Sequence, residues 1–199
     1  MTKNALIVGA GSGNSASFAR ALARQGAEVA LAARNIEKLD PLVDEIDGMS
    51  IACDATDAAQ VASLFTQLDQ SMGTPDVVLY NPSAYTAGPV AELDPGAVHQ
   101  SLMQTAFGAF LVAQQAAKRM QQAGSGAIFF TGATASVKGF PNFSSFAMGK
   151  FALRGLTQSL ARELGPKNIH IAHFIIDGGI ASPGRDLAQE SPENNADDS

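Results

Sequence analysis

The 199-residue chain has no tryptophan, two tyrosines and a single cysteine. One thiol, Cys53, cannot close an internal disulfide, so a packed core must supply the stability, and a reducing cytoplasm is the natural compartment. Cys53 itself reads as a small buried apolar residue in a strand. Positive charge is also scarce. Thirteen Lys and Arg against nineteen Asp and Glu leave a net charge of −6, which argues against a nucleic-acid partner. It leaves room for an anionic cofactor, because helix N-termini and one or two basic side chains hold phosphates locally. The longest apolar runs are strand-length, so no membrane partner is expected. The opening Met1-Thr-Lys-Asn-Ala-Leu6 lacks the charged and apolar regions of a signal peptide. His99, His170 and His173 have no metal-ligand spacing, and His173, inside an apolar run, reads as a satisfied core residue.

What the chain does have is 46% hydrophobic residues, enough for one sizeable core and one domain over residues 1–190. Strand-like apolar runs at 5–8, 28–33, 50–53, 76–80, 127–131 and 169–176 alternate with helical patterns. The helical patterns fall at 15–25, 36–46, 57–72, 95–123 and 143–164. The strands show no polar alternation, as expected when helices cover both faces. This predicts an α/β fold, a doubly wound parallel sheet in three layers. Asp94 before Pro95, and Asp57 with Gln60, carry helix-capping signals. Asp40 is expected to cap a helix opening at Pro41, and Gly26 and Gly165 to end helices in the left-handed region. The acidic segment 191–199 lacks apolar residues and reads as a disordered tail.

After the first strand comes Gly9-Ala-Gly11-Ser12-Gly13-Asn14-Ser15-Ala16. Glycines there let the backbone turn sharply and approach a pyrophosphate, whose charge the free amides of the next helix can hold. One register, Gly11-x-Gly13-x-x-Ala16, starts late after the strand. The other, Gly9-x-x-x-Gly13-x-Ser15, follows it directly and is preferred; Ser15 could then donate its hydroxyl to a phosphate. A tight structural turn is the plainer alternative. About twenty residues on, where a carboxylate would bind the ribose hydroxyls of NAD, stand Ala33 and Arg34. A guanidinium can grip a 2′-phosphate with paired donors, which favours NADP (NADPH) over NAD. A solvated strand-end arginine is the bland reading.

The stretch Thr131-Gly-Ala-Thr-Ala-Ser-Val-Lys-Gly-Phe-Pro-Asn-Phe-Ser-Ser-Phe-Ala-Met-Gly-Lys150 runs from a strand through a loop into a long helix. Phe146 and Lys150 lie four apart and share a face. Together with the glycine turn, this resembles the short-chain dehydrogenase/reductase family over about residues 3–185. In that family a catalytic Ser lies 13 residues before the Tyr of a Tyr-x-x-x-Lys pair. The resemblance puts Lys150 on the family's Lys, Phe146 on its Tyr, Ala133 on its Ser and, through Thr105-Ala-Phe-Gly108, Thr105 on its Asn. Only the lysine is kept. Phenylalanine has no proton to give, so ordinary carbonyl reduction should be disabled unless another group supplies one. Thr134, Ser136, Ser144, Ser145 and above all Tyr85 are candidates, although packing over the site is the commoner role for such an aromatic. Phe140, Phe143, Phe146 and Phe151 are expected to wall an apolar pocket.

The resemblance also implies adenine contact for Asp54, whose alternative is a helix cap. It implies a kept Asn81 beside the adenosine ribose, and a nicotinamide-holding segment Gly178-Gly179-Ile180-x-Ser182. Its strand order would be 3-2-1-4-5-6, followed by a further segment and a seventh strand not fully present here. The family's dimer face implies a homodimer or homotetramer through the fourth and fifth helices, about 105–115 and 149–159. Two functions stay open. One is an atypical oxidoreductase on small molecules with a carbonyl or conjugated double bond, with Gly9 and Ser15 similar to the enoyl reductase branch. The other is a catalytically silent NADP-binding sensor or partner subunit.

Overall fold

The computed structural model describes residues 3–178 and 180; Gly179, Ser182 and the acidic segment 191–199 lie outside the described residues. Six parallel strands form one sheet in the order β3-β2-β1-β4-β5-β6. They are β1 (Asn4–Val8), β2 (Glu28–Ala33), β3 (Met49–Ala52), β4 (Val77–Tyr80), β5 (Gly126–Ala133) and β6 (Ile169–Ile176). The helices are α1 (Asn14–Arg24), α2 (Asp40–Ile46), α3 (Ala58–Ser71), α4 (Pro95–Leu102), α5 (Gly108–Ala123) and α6 (Ser144–Leu164). The expected three-layer α/β architecture and strand order are both present.

Alternate residues of β1 feed two separate cores, which is why its run reads as continuously apolar. Leu6 and Val8 join Val61, Leu64, Phe65, Val112, Ala116 and Leu153 on the face covered by α3, α5 and α6. Ala5 and Ile7 join Ala16, Ala19, Leu22, Leu39 and Leu42 beneath α1 and α2. Among the described residues β6 pairs only with β5 and forms a sheet edge, with Phe174 and Ile175 half-exposed. No described helix is long and apolar enough to cross a membrane.

Asp57 caps α3 by accepting from the amides of Ala59 and Gln60, and Asp94 caps α4 through Ala97 N–H. Two terminus expectations fail. Asp40 is the first residue of α2 and makes no cap hydrogen bond, because a short 3₁₀ turn, Glu37–Leu39, runs straight into the helix. Gly165 is right-handed and continues α6 into another 3₁₀ turn, so Asn168, at φ 60°, takes the left-handed position instead. Gly26, at φ 84°, ends α1 as expected. Between α4 and α5 the helix widens into a π turn, Met103–Phe107, a deviation frequent at functional sites.

Candidate functional site

A crevice opens at the carboxyl ends of β1, β4, β5 and β6, where the strand order reverses, the usual ligand position in open α/β sheets. Its cavity, about 380 Å³, is lined by the Gly9–Ser15 turn together with Asn81, Tyr85, Ala133, Phe146, Lys150 and Ile180. A second cavity of about 690 Å³ shares Gly9, Asn81 and Ser83 with the first and is lined by Arg34, Lys38 and Asp54. The two cavities adjoin at these shared residues.

The crevice floor is the glycine turn. Gly9 adopts φ 75°, and a Cβ there would lie 2.6 Å from Pro82 Cγ, so only glycine fits. The amides of Gly9 and Ala10 both donate to Ala32 O, locking the turn to β2. Ser15 is buried, and its Oγ accepts from Gly11 N–H at 2.9 Å and donates to Gly11 O at 3.1 Å. Here the hydroxyl clamps the turn, and Ser15 lines the cavity where a phosphate is expected. Gly13 caps α1 without any side-chain hydrogen bond, and Asn14 and Ser15, which open the helix, line the cavity.

Three strand ends are cross-tied beneath the cavity. Asn81 Nδ2 donates to Gly9 O at 3.2 Å, and Thr131 Oγ1 donates to Asn81 Oδ1 at 2.9 Å. The carbonyl of Thr131 receives Lys150 Nζ at 2.8 Å. Lys150 is 2% exposed, and its ammonium stands 5.8 Å from the Phe146 ring. Burial pushes its pKa down from 10.5 to about 8. A buried cation held by a single carbonyl has donors left for a ligand's oxygens.

The remaining candidates separate into those that reach the cavity and those that do not. Ala133, at the end of β5, lines it and donates its N–H to Ser136 Oγ at 3.2 Å. Phe146 lines it with no hydroxyl to offer. Thr105, in the π turn, is fully buried and bonded to the backbone of Ala84. Ser145 bonds Thr86, and Thr134 donates to Asp177. The four-phenylalanine wall is corrected: only Phe146 lines the cavity. Phe143 is buried against Tyr85, Phe140 lies under Lys138 and Phe151 faces outward. His173 is also not a core residue. It is half-buried on edge strand β6, 3.5 Å from Ser136 Oγ, and burial followed by the charges of Lys150 and Arg154 lowers its pKa.

Arg34 is exposed in the second cavity, and Asp54 turns its carboxylate to the Thr56 amide and hydroxyl, an Asx turn just before the Asp57 cap. Cys53 is buried immediately after β3, and burial raises its thiol to about 11. Sequence reasoning missed Lys38, four residues beyond Arg34, which places a second cation in the same cavity. It also missed Thr131, which binds both Asn81 and Lys150. A second basic residue four positions past Arg34 could have flagged Lys38, whereas nothing local marks Thr131.

These residues fit a dinucleotide: a glycine cradle and a helix N-terminus at the centre, two cations at one end and a buried ammonium at the other. Known proteins agree. Residues 3–191 match the family model described as short chain dehydrogenase. Over 184 residues the chain is 32% identical to a versicolorin reductase of Emericella nidulans, covering 89% of this chain and 69% of that protein. It is 29% identical over 174 residues to a D-threitol dehydrogenase of Mycolicibacterium smegmatis, covering 85% and 67% respectively. Among solved structures, a short-chain dehydrogenase from Rhodopseudomonas palustris superposes with a TM-score of 0.80 at 36% identity, covering 86% of this chain and 84% of that one. Another from Streptomyces avermitilis gives 0.85 at 25% identity, covering 92% and 68%. Fold, crevice and sequence together make this chain a member of the short-chain dehydrogenase/reductase family.

Proposed function

We propose that the protein is an NADP(H)-preferring oxidoreductase acting on a small molecule with a carbonyl or conjugated double bond. In this reading Lys150 is the one retained member of the family's Asn-Ser-Tyr-Lys set, with Thr105, Ala133 and Phe146 at the other three positions. When bound, the cofactor supplies the hydride. The glycine turn and the α1 amides would hold its pyrophosphate, and Lys150 its nicotinamide ribose. Arg34 and Lys38 would grip a 2′-phosphate. The observation that carries the reading is Lys150: a buried ammonium held by one carbonyl costs stability unless a ligand uses it. The relatives do not decide the dinucleotide, since a 27%-identical xylitol dehydrogenase was solved with NAD⁺. The paired cations of this chain favour the phosphorylated form.

The decisive measurement is a fluorescence titration with NADPH and NADH. Saturable NADPH binding, tighter than NADH, is expected; affinity for neither would end the proposal. A second reading, a silent NADP-binding subunit, is favoured by the absence of a hydroxyl on Phe146 and Ala133. An enoyl-reductase-like chemistry has less support, because Phe143, seven residues before Lys150, is buried against Tyr85. We also assign self-association to the α5 and α6 faces, where Phe107, Phe110, Met148 and Phe151 are all at least 42% exposed. Such a cluster of exposed apolar side chains marks an interaction surface.

A further inference from the structure

Two buried hydroxyls grip the main chain on either side of Tyr85. Thr105 Oγ1 accepts from Ala84 N–H at 3.1 Å and donates to Ala84 O at 3.2 Å. Ser145 Oγ accepts from Thr86 N–H at 2.9 Å and donates to Thr86 O at 2.8 Å. Both side chains are 0% exposed, and Gly88 N–H adds a third tie to Asn142 O at 2.8 Å. A surface loop would ordinarily sample several conformations. Here three ties within five residues hold it, from the π turn, from α6 and from the loop preceding α6.

The residue between the two clamps points its ring into the cavity wall. The Tyr85 centroid lies 5.0 Å from that of Phe146 and 5.7 Å from that of Phe143. Phe146 in turn lies one helical turn before Lys150. Among the described residues, the other hydroxyls lining this cavity are Ser12, Ser15, Ser83 and Thr131. All four are aliphatic alcohols, far weaker acids than a phenol. Thr134, Ser136 and Ser145 are not among the residues that line the cavity. A phenol is thus present beside Phe146, on a different element from the one where the family carries it.

We propose that Tyr85 is the catalytic proton donor of this site, and that Thr105 and Ser145 are positioning residues that hold it there. The proposal rests on the reading that the cavity seats a reduced nicotinamide dinucleotide. A bound cofactor would supply the hydride to the substrate's carbonyl carbon; Tyr85 would then give up its O–H proton to the carbonyl oxygen. The resulting phenolate is reprotonated by water. The carbonyl is reduced to an alcohol and the cofactor is oxidised, so atoms and electrons balance.

The test combines chemical modification with turnover. The chain has only two tyrosines, and Tyr80 is 0% exposed, so it serves as an internal control. Tetranitromethane should nitrate Tyr85, as read by peptide mass spectrometry, and saturating NADP⁺ should protect it. NADPH oxidation is then followed across a panel of aldehydes and ketones. Tyr85→Phe should lower kcat by about 10² to 10⁴ with NADPH affinity unchanged. Thr105→Val and Ser145→Ala should each lower kcat in part, and Thr105→Ser should restore it. Nitration that NADP⁺ does not slow, despite proven NADP⁺ binding, would overturn the assignment. So would a Tyr85→Phe variant with wild-type kcat, or an inert wild type that Phe146→Tyr makes active. Failure of NADPH and NADP⁺ to bind at all would instead remove the dinucleotide reading beneath it.

Discussion

Replacing Lys150 by Met should stabilise the unliganded protein at neutral pH and destabilise it in strong alkali. Burial lowers the folded-state pKa from 10.5 to about 8. Each tenfold change in proton affinity is about 1.4 kcal/mol, so the buried ammonium costs about 3 kcal/mol where both states carry the proton, below pH 8. Between pH 8 and 10.5 the unfolded chain keeps this proton and the folded one has released it, so wild-type stability should rise with pH. Methionine is of similar length and removes the penalty, but it also removes the donor to Thr131 O, a loss of about 1 kcal/mol. The variant should therefore be more stable by about 2 kcal/mol at pH 7, or roughly 4–8 °C in Tm. Above pH 10.5 it should be less stable by about 1 kcal/mol, because the neutral amine still donates. Cys53 and Tyr80, whose protonated forms burial favours, lose stability for the fold as pH climbs toward 11 and beyond. That contribution is common to both proteins and cancels in the difference. Guanidinium unfolding followed by circular dichroism at pH steps from 6.5 to 11 measures both curves. Parallel curves, or a less stable variant at pH 7, would refute the reasoning. The same variant should lose NADPH affinity, which would make Lys150 a residue kept at the expense of stability.

Three further outcomes are expected. Arg34→Asp should shift preference from NADPH toward NADH, with NADPH weakened about tenfold to a hundredfold, the worth of one charge-assisted contact; a titration showing no change of preference would discard the 2′-phosphate assignment. Gly9→Ala forces a left-handed residue, about 1–2 kcal/mol, and drives its methyl into Pro82, about 1–3 kcal/mol more. Its melting temperature should drop and dinucleotide affinity should collapse, and an unchanged Tm would mean the turn is not built as described. Phe110→Glu or Phe151→Glu should dissociate the protein in sedimentation velocity, since each places a charge in the proposed apolar contact. An assembly that survives both would move the interface elsewhere.

The parts legible in the sequence were those encoded by local periodicity and turn chemistry. The boundaries of β2 and β6 were readable because both are continuous apolar runs with helices following or preceding them. The α3 and α4 caps were readable because Asp57 and Asp94 carry their signal within three residues. The Gly9 turn was readable because a glycine follows β1 directly. The misreadings share one cause, which is competition from a neighbouring element. Asp40 looked like a cap until the 3₁₀ turn before it fed into α2 without a break. Gly165 looked like a stop until α6 tightened and handed the left-handed position to Asn168. Phe143 and Phe151 shared a helical pattern with Phe146, but a helix has several faces, and only one of them looks into the cavity.

The loop clamps were beyond any sequence reading. The contacts from Thr105 to Ala84 and from Ser145 to Thr86 span 21 and 59 residues. Nothing in the local spacing of a threonine or serine announces a partner that distant. Each clamp satisfies both a backbone donor and a backbone acceptor with one buried hydroxyl, so removing it would strand two polar groups at about 1–3 kcal/mol apiece. Thr105 stands at the position the resemblance assigns to a catalytic asparagine, and in this fold its side chain turns to the main chain beside Tyr85. The two clamps hold the segment that carries Tyr85 at the cavity. The arrangement is the one expected if the phenol's place had passed from α6 to the loop after β4.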